Sequence, residues 1–523
     1  MDQVLSGTFD GRRWPGATNS DVVVGLADDP DSQQQYPFAL NLERDGHLLI
    51  YGAPVTGKTT LLQTFLLSTA LTRRPDEVNM YILDFGGWNM NVLADLPHVG
   101  GIAYDSEPER IKKLTTLLAD IMAERKQRFS RAGVGNISDF RELTGASIAD
   151  IILAVDNFGP VLKLYQDLDD FFATLVSNGA SLGVYLVATA GSHNAVPYKL
   201  SQMIKNAVAL QMNSLSDYSD IVGKVKDELP PIKGRGYAKG ALTFQAAIPV
   251  PGEGVKEIRN AMQTIVKAMS DSWSGSLPLP IPEIPERIHY GSVNTPNVAL
   301  GLSIEKVMPV SYDYTKQHYL LISGTGQSGK SKLLQVVTRQ LLEKLGGQLY
   351  VFDVKNSGLP SVRPMARAYL TTAQQIDQFI EDLRPELQNR LTQKKADPTV
   401  NFAPIVIAID DYESFFSAVS NDTITRLNAI IKIGTGLGLY LIAAGDAFGV
   451  ASLVNKGEAV AHAMSHSKQL VMLGGCMNDH CTVSVKVSYS QKSEQLNDRE
   501  GYFIGADGAV RFKTMEPYVE VTR

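Results

Sequence analysis

The sequence predicts an α/β protein built as two tandem domains, each a mostly parallel sheet with helices on both faces. Three observations carry this. The chain repeats itself: HLLIYGAPVTGKTTLLQ (His47–Gln63) returns as HYLLISGTGQSGKSKLLQ (His318–Gln335), and YILDFGG (Tyr81–Gly87) returns as YVFDVKN (Tyr350–Asn356). IILAVDN (Ile151–Asn157) then returns as VIAIDDY (Val406–Tyr412), and GVYLVATAG (Gly183–Gly191) as GLYLIAAGD (Gly438–Asp446). A closing segment, GRGYAKGALTFQAAIP, is echoed by REGYFIGADGAVRFKTMEP. Five matches in one order mark a duplication. Second, short apolar runs such as HLLIY, NMYILDF, DIILAVD and GVYLVAT alternate with helical patterns. Third, 523 residues with 44% hydrophobic and 20% charged content are enough for two large domains with substantial cores.

Taken in order, residues 1–20 carry Gly, Arg and Pro without periodicity and form a lead-in. Residues 21–273 form the first domain. Within it, Ile111–Phe129 places Ile111, Leu114, Leu117, Leu118, Ile121 and Met122 on one helical face. Its basic run Glu124–Arg131 reads as a solvated helix face. Residues 274–288 interleave Pro278, Pro280, Pro282 and Pro285 with apolar residues. That composition predicts an extended, semi-rigid linker, with the domain boundary near residue 280. Trp273 and Tyr290 flank it as packing residues. Residues 289–523 form the second domain. His47 and His318 each open the strand before a glycine-rich loop and are expected to pack or hydrogen bond there.

Composition narrows the function classes. Lys+Arg number 49 and Asp+Glu 55, a net charge of −6, which argues against a nucleic-acid partner. Two cysteines, Cys476 and Cys481, cannot make a disulfide framework, and with His480 they lack zinc-site spacing. No run approaches the roughly 18 apolar residues of a membrane helix, and the N-terminus lacks a signal-peptide core. A soluble, cytoplasmic chain is expected.

The chemistry sits in the repeated loops. Gly52, Ala53, Pro54, Val55, Thr56, Gly57, Lys58 and Thr59 fit G-x-x-x-x-G-K-[ST], as do Gly324, Thr325, Gly326, Gln327, Ser328, Gly329, Lys330 and Ser331. Each follows an apolar strand and opens a helical run, and Thr60 and Lys332, next in the chain, are expected among the ATP-binding residues. Glycines let successive backbone N–H groups face a phosphate, and the helix N-terminus adds positive potential. The predicted ligands are ATP and Mg²⁺. Lys58 and Lys330 would reach the terminal phosphates, while Thr59 and Ser331 would hold Mg²⁺. Asp156 and Asp410 end apolar strands and would support the same ion. Hydrolysis further needs a group that orients water. Asp411 is the candidate base of the second copy, with Glu413 two positions on; the first copy has Asn157 instead. The first site is therefore expected to bind nucleotide and hydrolyse it poorly, and the second to be weak at best.

With these residues in view, the order LNLERDGHLLIYGAPVTGKTTLL, MYILDFGGWNMNVLADLPHVGG, IMAERKQRFSRAGVGNISDF, VDN and GVYLVATAGS resembles the FtsK/SpoIIIE family of motor ATPases. More narrowly it resembles the last two of the three ATPase domains of the type VII secretion ATPase EssC/EccC, over nearly the whole chain. GLADDP (Gly25–Pro30) and DFGG (Asp84–Gly87) are its most specific parts. The resemblance implies two RecA-like P-loop ASCE domains at the cytoplasmic face of the cell membrane. It implies secreted WXG100-class proteins as cargo and membrane-embedded secretion components as partners. It implies a homo-oligomer, hexameric in the full assembly, with this chain alone monomeric, and a cargo-signal pocket within residues 290–523. A double-stranded DNA translocase of the same family is the alternative. Ala190-Gly191 and Ala444-Gly445 stand where DNA-pumping relatives carry a glutamine sensor, and Gly135 stands where they carry an arginine. Val55 replaces a common loop glycine, and Arg235 matches a GRG element with either a turn-stabilising or a nucleotide-sensing role. These departures imply weak or absent motor activity.

Overall fold

The computed structural model describes residues 8–14, 20–29, 33–434, 436–458, 461, 464, 469–480, 487, 492–505 and 508–519. Cys481 lies outside them. The chain divides into two compact units, Met1–Pro282 and Glu283–Arg523.

The first unit contains strands β1 (Val22–Asp29), β2 (Gln34–Leu40), β3 (Leu48–Tyr51), β4 (Val78–Asp84), β5 (Val99–Tyr104), β6 (Asp150–Asp156), β7 (Val184–Ala190), β8 (Asn206–Leu210), β9 (Arg235–Ala238) and β10 (Leu242–Ala246). They form one sheet in the order β2-β1-β10-β9-β8-β3-β7-β6-β4-β5. From β8 to β5 the pairings are parallel; β8 with β9, β9 with β10, β10 with β1 and β1 with β2 are antiparallel. The second unit contains β11 (Val298–Ser303), β12 (Pro309–Tyr312), β13 (Tyr319–Gly324), β14 (Gln348–Phe352), β15 (Ala368–Leu370), β16 (Ile405–Ile409), β17 (Leu439–Asp446), β18 (Leu470–Leu473), β19 (Glu500–Gly505) and β20 (Gly508–Thr514). Its order, β12-β11-β20-β19-β18-β13-β17-β16-β14-β15, repeats the first strand for strand.

The mixed α/β fold agrees with the sequence reading. The four-stranded antiparallel wing on each sheet is new, and it explains the closing echo: GRGYAKGALTF is the hairpin β9–β10, and its counterpart is β19–β20.

Strand β6 shows why the central strands are almost wholly apolar. Ile151, Leu153 and Val155 enter the core on one face of the sheet, and Ile152 and Ala154 enter the core on the other. Helices cover both faces. Lys58–Thr72 buries Leu61, Leu62, Phe65 and Leu66 against one, while Pro108–Ala132 buries Ile111, Leu114, Leu118 and Met122 against the other. Local chemistry sets helix ends: Asn136 accepts a hydrogen bond from Asp139 N at 2.9 Å to open Ile137–Thr144, and Thr372 and Gln375 form a capping box at Ala373–Ala396.

Three readings are refined. The lead-in is part of the packing, since Trp14 is buried and donates from Nε1 to Ala70 O at 2.7 Å. The linker docks on the first unit: Tyr81 Oη donates to Leu279 O at 2.7 Å, and Ile281 is buried beside Gly100 and Gly101. Arg125 does not belong to a solvated face. It is buried and donates to the carbonyls of Leu182 at 2.7 Å and Ala149 at 2.6 Å.

Candidate functional site

In the first unit the loop Gly52–Gly57 leaves β3 and enters the helix Lys58–Thr72. Val55 has φ +67° and Gly57 φ +107°. A β-branched residue in the left-handed region is unusual, and the loop must hold it there. Gly52 N donates to Ala190 O at 3.2 Å, Ala53 N to Gln211 O at 2.8 Å, and Gly234 N to Thr56 O at 2.9 Å. Val55 points out, 77% exposed. Lys58 Nζ folds onto the loop, donating to Gly52 O at 2.7 Å and Ala53 O at 2.9 Å. Burial lowers its pKa, which the nearby Asp156 opposes.

Beside the loop, Thr59 Oγ1 donates to Asp156 at 2.9 Å, and Thr189 Oγ1 donates to its Oδ1 at 2.7 Å. Asp156 is buried at the tip of β6, and burial raises its pKa against those two hydroxyls. Gly86 presses on it: a Cβ there would lie 2.0 Å from Asp156 Oδ2. The loop is fixed by Asp84, which accepts from Gly86 N at 3.0 Å and Met90 N at 2.9 Å. Asn157 has φ +67°, and its Nδ2 donates to Phe85 O at 3.2 Å, so no carboxylate follows Asp156. Thr59 and Thr60 also line a cleft of about 500 Å³ with Trp88, Asn91 and Arg259.

The second unit repeats the arrangement with different supports. Gln327 takes the place of Val55 with φ +60°, and Gly329 has φ +92°. Thr325 N donates to Leu473 O at 3.0 Å, and Lys330 Nζ to Thr325 O at 2.8 Å. Ser331 Oγ donates to both oxygens of Asp410 at 2.9 Å, and Ser357 Oγ donates to Oδ2 at 2.8 Å. Burial again raises the carboxyl's pKa. Asp411 has φ +54° and forms an ion pair with Lys355. Burial raises its pKa most, but hydrogen bonds from Lys355, Ser414 and Glu413 together with the Lys355 charge outweigh that and hold it low. Glu413 accepts from Asp446 N at 3.0 Å, and burial with the neighbouring Asp411 pushes it up to about 6. Lys332 is exposed, one position beyond Ser331.

Each unit therefore gathers a nitrogen-lined loop, a lysine, a hydroxyl and a buried acid at the C-terminal end of its parallel strands, where such folds bind ligands. Hydroxyl and carboxylate oxygens are donors suited to Mg²⁺, which keeps other positions for phosphate and water. Among the described residues no group of three or more His, Cys, Asp or Glu could hold a metal by itself.

Residues 16–240 match the model of the FtsK/SpoIIIE family. The first domain is thus similar to that family. The whole chain resembles the tandem ATPases of EssC and EccC. It is 26% identical over 463 residues to the ESX secretion system protein EccC of Thermomonospora curvata, covering 84% of this chain and 35% of that protein. The chain thus spans about a third of that relative's length. A structure of ATPases 2 and 3 of Geobacillus thermodenitrificans EssC superposes with TM-score 0.84 at 22% identity, over 96% of this chain and 97% of that one. ATPases 2 and 3 of T. curvata EccC, solved in complex with a signal sequence peptide, superpose with TM-score 0.73 at 24% identity, over 98% and 95%.

The FtsK-like fold places other residues noted in the sequence. Arg235 pairs with Asp28 of β1, within the same antiparallel wing, at 3.3 Å, a structural contact. His47 accepts from Leu186 N through Nδ1 at 2.9 Å and faces Val176 O with Nε2 at 3.2 Å; burial lowers its pKa to about 4. His318 stacks on Tyr440 and faces Leu439 O at 3.2 Å. His480 bridges Ser323 and Gly474 at 3.0 Å each, while Cys476 is a buried free thiol. Sequence reasoning missed Thr189, Asp84, Asp353, Gly86, Lys355 and Ser357. The signal for the two acids was present, because DFGG and DVKN align at Asp84 and Asp353.

Proposed function

We propose that both domains bind Mg-ATP and that the chain is the tandem ATPase 2–ATPase 3 part of a type VII secretion ATPase. The observation that carries this is the doubled pairing of a loop hydroxyl with a buried acid, Thr59 with Asp156 and Ser331 with Asp410, each beside a lysine-bearing phosphate loop. Lys58 and Lys330 would leave the loop carbonyls for phosphate, and Thr59, Asp156, Ser331 and Asp410 would hold Mg²⁺. The ion would neutralise phosphate charge. The first domain has no acid after Asp156, so it binds without efficient turnover. In the second, Asp411 is engaged by Lys355, and turnover is weak.

The EccC structure with a signal sequence peptide supports a cargo-recognition role for this chain, with WXG100-class proteins as cargo and the second domain as receiver. Membrane-embedded secretion components and oligomerisation at the cytoplasmic face of the membrane belong to the same proposal. Among the described residues no helix is long and apolar enough to cross a membrane.

The test is ATP binding and turnover by the chain, by Lys58→Ala, by Lys330→Ala and by the double variant. Two binding sites, one lost with each lysine, and slow turnover are expected. Fast turnover abolished by Lys330→Ala alone would refute the weak second site.

A further inference from the structure

The two sites differ in one paired replacement. The second has Lys355 and Asp411, joined as an ion pair; the first has Gly86 and Asn157 at the matching positions of DFGG and VDN. Neither partner is kept without the other. A lysine at the Gly86 position of the first site is excluded sterically, because even a Cβ there would lie 2.0 Å from Asp156 Oδ2.

Hydrogen bonds tie down the loop that holds Lys355. Asp353 accepts from Ser357 N and Oγ at 3.0 Å, from Gly358 N at 3.0 Å, and from Tyr369 Oη. Ser357 also reaches Asp410 at 2.8 Å, which ties the loop to the acid paired with Ser331. The backbone of Lys355 is thus fixed at the rim of the site. Its side chain is 58% exposed and reaches Asp411 from solvent. Lys355 is thus the exposed partner of the pair, and Asp411, 21% exposed, the more buried one. Four carboxylates, Asp353, Asp410, Asp411 and Glu413, stand around this corner, and Lys330 is engaged on the loop carbonyl of Thr325. Lys355, paired to Asp411 and near Asp410, is an ammonium at this corner in addition to Lys330.

We propose that Lys355 contacts and reads the terminal phosphate of the nucleotide on the second domain, exchanging Asp411 for that phosphate, and that the first domain has no such reader. This rests on the reading that both loops bind ATP. Its consequence is an asymmetry: the second site discriminates ATP from ADP, and the first responds nearly equally to both. Release of Asp411 in the ATP state would couple nucleotide identity to the carboxylate pair beside it.

The experiment is calorimetric titration of the full chain with MgATP and with MgADP. Lys58→Ala leaves only the second site, and Lys330→Ala leaves only the first. In the Lys58→Ala chain, ATP is expected to bind about tenfold tighter than ADP, the scale of one charge-assisted hydrogen bond. Adding Lys355→Met should collapse that ratio to about unity with ADP affinity retained, and Lys355→Arg should restore part of it. In the Lys330→Ala chain the ratio should be near unity whatever stands at 355. An unchanged ratio in Lys355→Met, with both nucleotides still bound, overturns this inference alone. Failure of both nucleotides to bind the Lys58→Ala chain overturns the binding proposal, and the inference with it.

Discussion

Gly86→Ala tests the geometry of the first site most directly. The added Cβ would sit 2.0 Å from Asp156 Oδ2 and 2.8 Å from its Cγ. An ordinary contact needs about 3.4 Å, so the carboxylate must retreat by about 1.4 Å or the loop must lift. The loop is held by Asp84 through Gly86 N and Met90 N, and by Gln63 Nε2 donating to Asn89 O at 2.9 Å. Asp156 therefore yields first. Its hydrogen bonds from Thr59 at 2.9 Å and Thr189 at 2.7 Å do not survive such a shift. Two hydrogen bonds to a charged group, at about 1.5 kcal/mol or more each, give a loss of about 3 kcal/mol. For a domain of this size that lowers the melting temperature by about 6–12 °C. The assay is thermal unfolding of the full chain, with MgATP affinity measured in the Lys330→Ala background, where affinity should fall with stability. Gly191→Ala is the control: nothing lies within 4 Å of its Cβ position, and no change is expected. A Gly86→Ala protein with the melting temperature and MgATP affinity of the parent would refute the reasoning.

Three further outcomes are expected. His47 and His98 are both held down to about 4 by burial, so the unfolded chain binds more protons as pH falls below about 6.5. Stability of the first domain is therefore complete above about pH 6.5 and declines toward pH 4, by about 2 kcal/mol per histidine at pH 5; urea midpoints across that range check it, and His47→Gln should flatten the slope. Asp150 is 1% exposed and pairs with Arg73 at 2.7 Å and Arg141 at 2.9 Å, so Asp150→Ala should cost about 3–5 kcal/mol in urea unfolding. A loss below about 1 kcal/mol would mean that water replaces the carboxylate. Trp88 is 57% exposed on the cleft beside Thr59 and Thr60, whereas Trp14 and Trp273 meet edge to face at 5.6 Å. MgATP should change tryptophan emission in the chain and in Lys330→Ala, and leave it unchanged in Lys58→Ala and Trp88→Phe.

The sequence by itself determined the duplication, the parallel core and both glycine-rich loops before the helices. These depend on local patterns: apolar strands, glycine spacing and a lysine followed by a hydroxyl, each repeated in order. It also located Asp156 and Asp410, because an acid ending an apolar run twice is a local signal. The antiparallel wings escaped it because β1 and β10 pair across more than two hundred residues, and no periodicity encodes a partner. Thr189 looked like one more residue of a buried strand until β7 brought its hydroxyl to Asp156. Arg125 looked solvated in the basic run until the fold put backbone carbonyls around it. Lys355 and Asp411 stand far apart in the chain, and only adjacent strand ends make them a pair. Local structure follows from neighbours along the chain, but the electrostatics of a site are set by groups that folding brings together.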